Sequence, residues 1–181
     1  MAQKEISETV ETETVITPDE LLKHWQGHRG LTRRMIETFP EDKLFTYSIG
    51  GMRPFSEMVM EFLGMAVPGM HGIATGVWKS VPELWHHQKN DAPKTKQELI
   101  DRWDEATAII DKLWAQTSFE RFMETDRAFG EWEGPVYSFL FYWIDNEIHH
   151  RGQAYVYLRS LGIEPRNHWQ APHAPTQDVP P

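Results

Sequence analysis

The chain has 181 residues, of which 40% are apolar and 25% charged, with eight tryptophans and no cysteine. This fits one domain with a full apolar core, and it excludes a disordered chain, a disulfide scaffold, a thiolate metal site and a cysteine nucleophile. The 18 basic and 27 acidic residues leave a formal charge of −9, which argues against nucleic acid as a partner.

Residues 1–16 are polar and rich in Thr and Glu and read as an N-terminal arm. Thr17-Pro18-Asp19-Glu20 is a helix start, with a threonine cap, proline at the first helical position and acids in the first turn. The helix is predicted to run to Phe39, before Pro40, with Leu21, Trp25, His28, Thr32, Met35 and Phe39 as its inward stripe. A connection follows with Gly50-Gly51 and Pro54. The second helix starts at Pro54 or Ser56 and carries Met58, Glu61, Phe62 and Met65. Pro68-Gly69 is expected to kink or break it. Pro82, His86-His87 and Ala92-Pro93 read as loop, with the adjacent histidines in solvent. Thr95 and Glu98 form a capping box for the third helix, whose stripe is Leu99, Trp103, Ala106, Ile110 and Leu113. Phe129 to Gly134 reads as a turn or short hairpin. Pro135 opens the fourth helix, which extends to Leu161 with Gly162 as its cap. Residues 163–181 hold five of the twelve prolines and read as a tail.

Four long amphipathic segments make an all-α fold, a four-helix bundle over residues 17–162. The long loop before the third helix implies one crossover connection. No apolar run approaches the length of a membrane span, and the N-terminal residues lack the apolar core of a signal peptide. The expectation is a cytoplasmic protein with no membrane partner.

The fourth helix carries the main chemical signal. Its seam runs Val136, Phe139, Trp143, Asn146, His150, Gln153, Tyr157, and it turns polar halfway along. Polar groups on a core-facing seam need partners. Asn146 and His150 are four residues apart and point the same way. Glu61 sits beside the apolar stripe of the second helix, where a carboxylate needs a cation or a hydrogen-bond donor. Two readings are open. Glu61, Asn146 and His150 hold one divalent ion with positions left for water or substrate, or Glu61 accepts hydrogen bonds from His150 or Arg151 with no metal. Similarly, His28 is a ligand, a base or a packed core histidine, and Arg151 pairs with Glu147 or anchors an anionic substrate.

The run Asp145-Asn146-Glu147-Ile148-His149-His150-Arg151-Gly152-Gln153, followed by Tyr157 to Pro165, resembles the C-terminal signature of the DinB/YfiT-like family. Gly51-Met52-Arg53-Pro54-Phe55-Ser56-Glu57 resembles that family's entry into its second helix. The resemblance implies a four-helix bundle, a homodimer, and a divalent metal such as nickel, zinc or manganese bound through three histidines. It also implies thiol-dependent S-transferase, isomerase or hydrolase chemistry on a small-molecule substrate. By position the family's histidines fall on Glu61, Asn146 and His150, so one of the three is retained. Glu147 is a substitute ligand, and Glu147, His149 and His28 are the candidates for moving protons. The alternative is a non-catalytic, stress-linked dimeric bundle with a degenerate metal site that acts by binding.

Overall fold

The computed structural model describes residues 15–88 and 92–165. The predicted arm and most of the predicted tail therefore lie outside the described residues. Helix α1 spans Pro18–Thr38. Thr17 caps it as expected: Glu20 N donates to Thr17 Oγ1, and the Glu20 carboxylate accepts from Thr17 N. A one-turn helix α2, Glu41–Leu44, occupies the connection to α3, Phe55–Thr75. Pro68 lies inside α3 without ending it. The expected break does not occur, because almost the whole second half of the helix is buried between neighbours that hold it in place. α3 ends at Gly76 in the left-handed conformation, φ +72°. Arg121 adds cover for its last carbonyls by donating through Nε to Ile73 O at 2.8 Å.

Before α4 (Lys96–Trp114), the chain forms two single-turn 3-10 helices, Val81–Glu83 and Trp85–His87. The second of these lies against α3, so His86 is half-buried, whereas His87 is exposed as expected. A short α5, Phe119–Met123, leads into a hairpin of β1, Thr125–Ala128, and β2, Trp132–Pro135. The strands are antiparallel with Asp126 opposite Gly134. The turn uses Phe129 at φ 55° and Gly130 at φ 78°, a conformation glycine takes at little cost. α6 then runs Val136–Ser160.

The bundle consists of α1, α3, α4 and α6. The strongest pairings are α1 with α4 and α6, and α3 with α4 and α6. α1 and α3 therefore occupy opposite corners. The apolar interior falls into two clusters. One surrounds Ile36, Phe39, Phe55, Leu63, Leu99, Trp103 and Tyr157; the other surrounds Trp25, Met70, Ile110, Trp114, Leu140 and Trp143. Between them, along α1 and α6, lies a buried polar stratum of Arg29, Thr32, Glu147 and Arg151, each under 5% exposed. The apolar periodicity of α1 places His28 inward, yet Arg29 is the more buried of the two. Its guanidinium finds a partner in the Trp103 ring, 4.1 Å away.

Candidate metal and acid–base site

Two polar groups meet on different faces of α6. Asn146, His150 and Gln153 face α3, whereas Glu147 and Arg151 face α1.

On the α3 side, Asn146 Nδ2 donates to Glu61 Oε1 at 3.3 Å. His150 Nε2 stands 3.7 Å from the same oxygen, an ionic contact longer than a hydrogen bond. The Glu61 and His150 side chains are 18% and 15% exposed, so the pair is sheltered from bulk water. The other Glu61 oxygen, Oε2, accepts from Arg53 Nη2 at 2.5 Å. Arg53 stands in the connection before α3, and Tyr157 of α6 holds its backbone by donating to Arg53 O at 2.9 Å. His150 and Arg53 together hold the Glu61 carboxyl down to about 2, against the opposing effect of burial. Glu61 in turn raises the His150 imidazole above its ordinary value, with burial opposing and Gln153 helping. Gln153 Oε1 is 2.8 Å from His150 Nδ1. A proton on Nδ1 satisfies that oxygen and leaves Nε2 for Glu61 or for a ligand. Phe62 stacks on the imidazole with ring centroids 5.9 Å apart. His149 is exposed, its ring 5.0 Å from that of His150 and its Nε2 3.2 Å from Gln153 Nε2.

The α1 side is a separate network. Thr32 Oγ1 donates to Glu147 Oε1 at 2.5 Å and accepts from Arg151 Nη1 at 3.1 Å. Arg151 Nη1 lies 3.6 Å from Glu147 Oε1. Arg151 also donates through Nη1 to His28 O and through Nη2 to His28 Nδ1, at 3.1 and 2.8 Å. Burial pushes His28 down to about 4, and the neighbouring Arg151 and His24 add to the effect. Its ring is therefore a neutral acceptor. Burial raises the Glu147 carboxyl, opposed by Arg29, Thr32 and Arg151. Arg29 donates to Thr107 Oγ1 and Trp103 O at 2.9 and 3.2 Å through Nη2. Of the six residues picked out from the sequence, then, Glu61, Asn146 and His150 converge, and His149 stands beside them. Glu147 and His28 belong to the network across the helix.

Two residues of the site were not singled out in the sequence for it. Arg53 was visible only as part of the segment preceding α3. His86 was set aside as a loop residue, yet it is half-buried with its Nδ1 enclosed and, among the described residues, without a hydrogen-bond partner. Its ring rests on α3 at Gly64, where an added Cβ would lie 2.3 Å from His86 Nδ1. Gly64 is one helical turn beyond Glu61, so a glycine there was the available signal.

A family profile described as the DinB family matches residues 7–170. The chain belongs to the DinB family. Several solved structures share its fold. A DinB-like protein from Bacillus cereus ATCC 10987 is 17% identical, with a TM-score of 0.64 over 82% of this chain and 95% of that one. A DinB-like protein from Bacillus subtilis is 19% identical, with a TM-score of 0.60 over 78% and 92%. A mycothiol-dependent maleylpyruvate isomerase is 15% identical, with a TM-score of 0.57, and this chain covers 60% of its length. At these identities the likeness is one of fold. No curated protein matches the sequence.

The residues present can be tested against a divalent ion. Among the described residues no three His, Asp, Glu or Cys side chains come together in a metal-holding group, so any ion here relies on an amide. Donors around a tetrahedral ion at about 2.1 Å stand roughly 3.4 Å apart. The 3.3 and 3.7 Å separations from Glu61 Oε1 to Asn146 and His150 are close to that spacing. Asn146 must turn its amide to offer oxygen, a change of assignment rather than of position. The two separations measured from Glu61 thus suit one ion held through one imidazole nitrogen and two oxygens. No described helix is long and apolar enough to cross a membrane.

Proposed function

We propose that this DinB protein is a metal-dependent enzyme acting on a small molecule by thiol-dependent transfer, isomerisation or hydrolysis. The observation that carries the reading is the convergence of Glu61, Asn146 and His150 from α3 and α6 at near-ligand spacing. These three residues would hold the ion, and zinc, nickel or manganese suits the mixed donors. When bound, such an ion lowers the pKa of a thiol or water nucleophile. Gln153 fixes the His150 tautomer so that Nε2 faces the site, and Phe62 holds the ring against α3. Arg53 balances the Glu61 charge and competes with an ion for that carboxylate. His149, exposed beside His150, would exchange protons with solvent. Glu147 and His28 support this arrangement from the other face of α6.

The Arg53 contact favours a second reading. Here the guanidinium serves as the only cation, and the protein acts by binding, without catalysis. Pairing of two copies belongs to both readings and is supported by the exposed Phe141, Tyr142, Ile148 and Val156 along α6.

Elemental analysis of protein made without a polyhistidine tag tests the choice. The enzyme reading expects one zinc, nickel or manganese ion per chain, lost in Glu61→Ala and His150→Ala. Protein that stays metal-free and takes up none of the three ions in calorimetric titration would overturn it.

A further inference from the structure

Arg53 faces two ways. On one side it holds Glu61 Oε2. On the other it lines a pocket of about 540 Å³ with Phe45, Met60, Trp85, His86 and Leu99. Its side chain is 44% exposed, and among the described residues Glu61 is its one side-chain partner. A guanidinium carries five donors in a planar fork, so most of its donors are free of Glu61.

We propose that this pocket takes the carboxylate end of an organic acid with an aromatic or similarly sized apolar body, with Arg53 as the anchor. The inference rests on the site of the proposed function and deepens it by naming the substrate class. Three features support the choice of ligand. First, a planar guanidinium matches a planar carboxylate through two parallel hydrogen bonds. Second, Arg53 is the one arginine or lysine among the described lining residues, and burial pushes the imidazole of His86 down, with His87 and Arg53 adding to that. The exposed Glu57 lies on the same rim. That balance suits a single negative charge rather than a phosphate dianion. Third, Phe45, Met60, Trp85 and Leu99 form an apolar wall beside the cation, and ligand pockets typically combine apolar walls with a few placed polar groups. A carboxylate seated on Arg53 lies beside Glu61 and so brings the ligand body to the edge of the candidate site.

The test is calorimetric titration of metal-free, chelator-treated protein with benzoate, phenylacetate and indole-3-acetate, and with phenylacetamide as the neutral counterpart. At least one acid is expected to bind saturably, with phenylacetamide roughly tenfold weaker or more, as loss of a charge-assisted pair implies. Arg53→Met should abolish the preference for acid over amide while the melting temperature stays within a few degrees, and Arg53→Lys should retain part of it. No binding by any of the acids, equal binding of acid and amide, or an unchanged preference in Arg53→Met would each overturn the proposal. Acid binding by a protein that takes up no metal would uphold this inference and refute the metal reading; metal uptake without acid binding would do the reverse.

Discussion

Replacing Glu147 with glutamine probes the buried stratum that separates the two halves of the core. The substitution keeps the side-chain shape and an acceptor for the Thr32 hydroxyl, now 2.5 Å from Glu147 Oε1. It removes the one buried carboxylate facing Arg29 and Arg151, which are 1% and 4% exposed. Breaking a buried ion pair from one side costs about 3–5 kcal/mol, because the remaining charge stays buried without its counter-charge. Two features reduce the cost here. Arg151 keeps its bonds to His28 and Thr32, and Arg29 keeps the Trp103 face and Thr107. We expect a loss of about 3 kcal/mol. A domain of this size has roughly 5–15 kcal/mol in total. With a urea slope of about 2 kcal/mol/M, the unfolding midpoint should fall by roughly 1.5 M. Urea unfolding followed by circular dichroism measures this directly. The double variant with Arg151→Gln should cost less than the sum of the two single changes, because the pair shares its energy. A loss below about 0.5 kcal/mol would refute the reasoning. It would mean that Glu147 does not act as the counter-charge of Arg29 and Arg151 in the folded protein.

Two further expectations concern the α3 side. The His150 imidazole should titrate above its ordinary value in an NMR pH titration, and Glu61→Gln should bring it down, since burial is then opposed by Gln153 without the carboxylate. The linkage follows from the sign. A raised histidine contributes stability that is complete below pH 6.5 and is lost as pH rises through the folded-state pKa, whereas Glu61, lowered to about 2, contributes above pH 4.5 and loses its contribution as pH falls toward 2. An identical His150 titration in Glu61→Gln would contradict the geometry. Gly64→Ala places a Cβ 2.3 Å from His86 Nδ1 and 3.0 Å from the His86 backbone nitrogen, so the Trp85–His87 turn must shift, at a cost of about 1–3 kcal/mol. Thermal unfolding no different from that of the parent protein would show that His86 does not rest on α3.

Much of the scaffold was legible in the residues. Thr17-Pro18, Thr95 and Gly162 bound helices near the predicted positions because caps are local chemistry. The seam of α6 is buried or half-buried from Val136 to Tyr157, as its periodicity requires. The pairing of Glu61 with Asn146 and His150 was legible for the same reason: each stood on a face that had to meet another helix. What periodicity could not supply was the company those residues keep. Pro68 argued for a break, but the burial of its helix is a property of the assembled bundle. His86 looked solvated because its partner, Gly64, acts by lacking a side chain. Arg53 lies in irregular chain, where no repeat marks which way a side chain points. Arg29 is buried because Trp103, far away in sequence, offers it a ring face.

The polar stratum has a mechanical consequence for α6. An apolar seam alone tolerates small turns of a helix about its axis, because greasy contacts have little directional preference. The Arg151–Thr32–Glu147 bonds on the opposite flank do have direction, and a turn of even a fraction of a residue would break them. They act as a keyway: with the rod locked in its azimuth on the α1 side, Asn146 and His150 are aimed at Glu61 on the other. Substitutions that touch neither Glu61 nor His150 should therefore still detune that centre by letting the rod rotate.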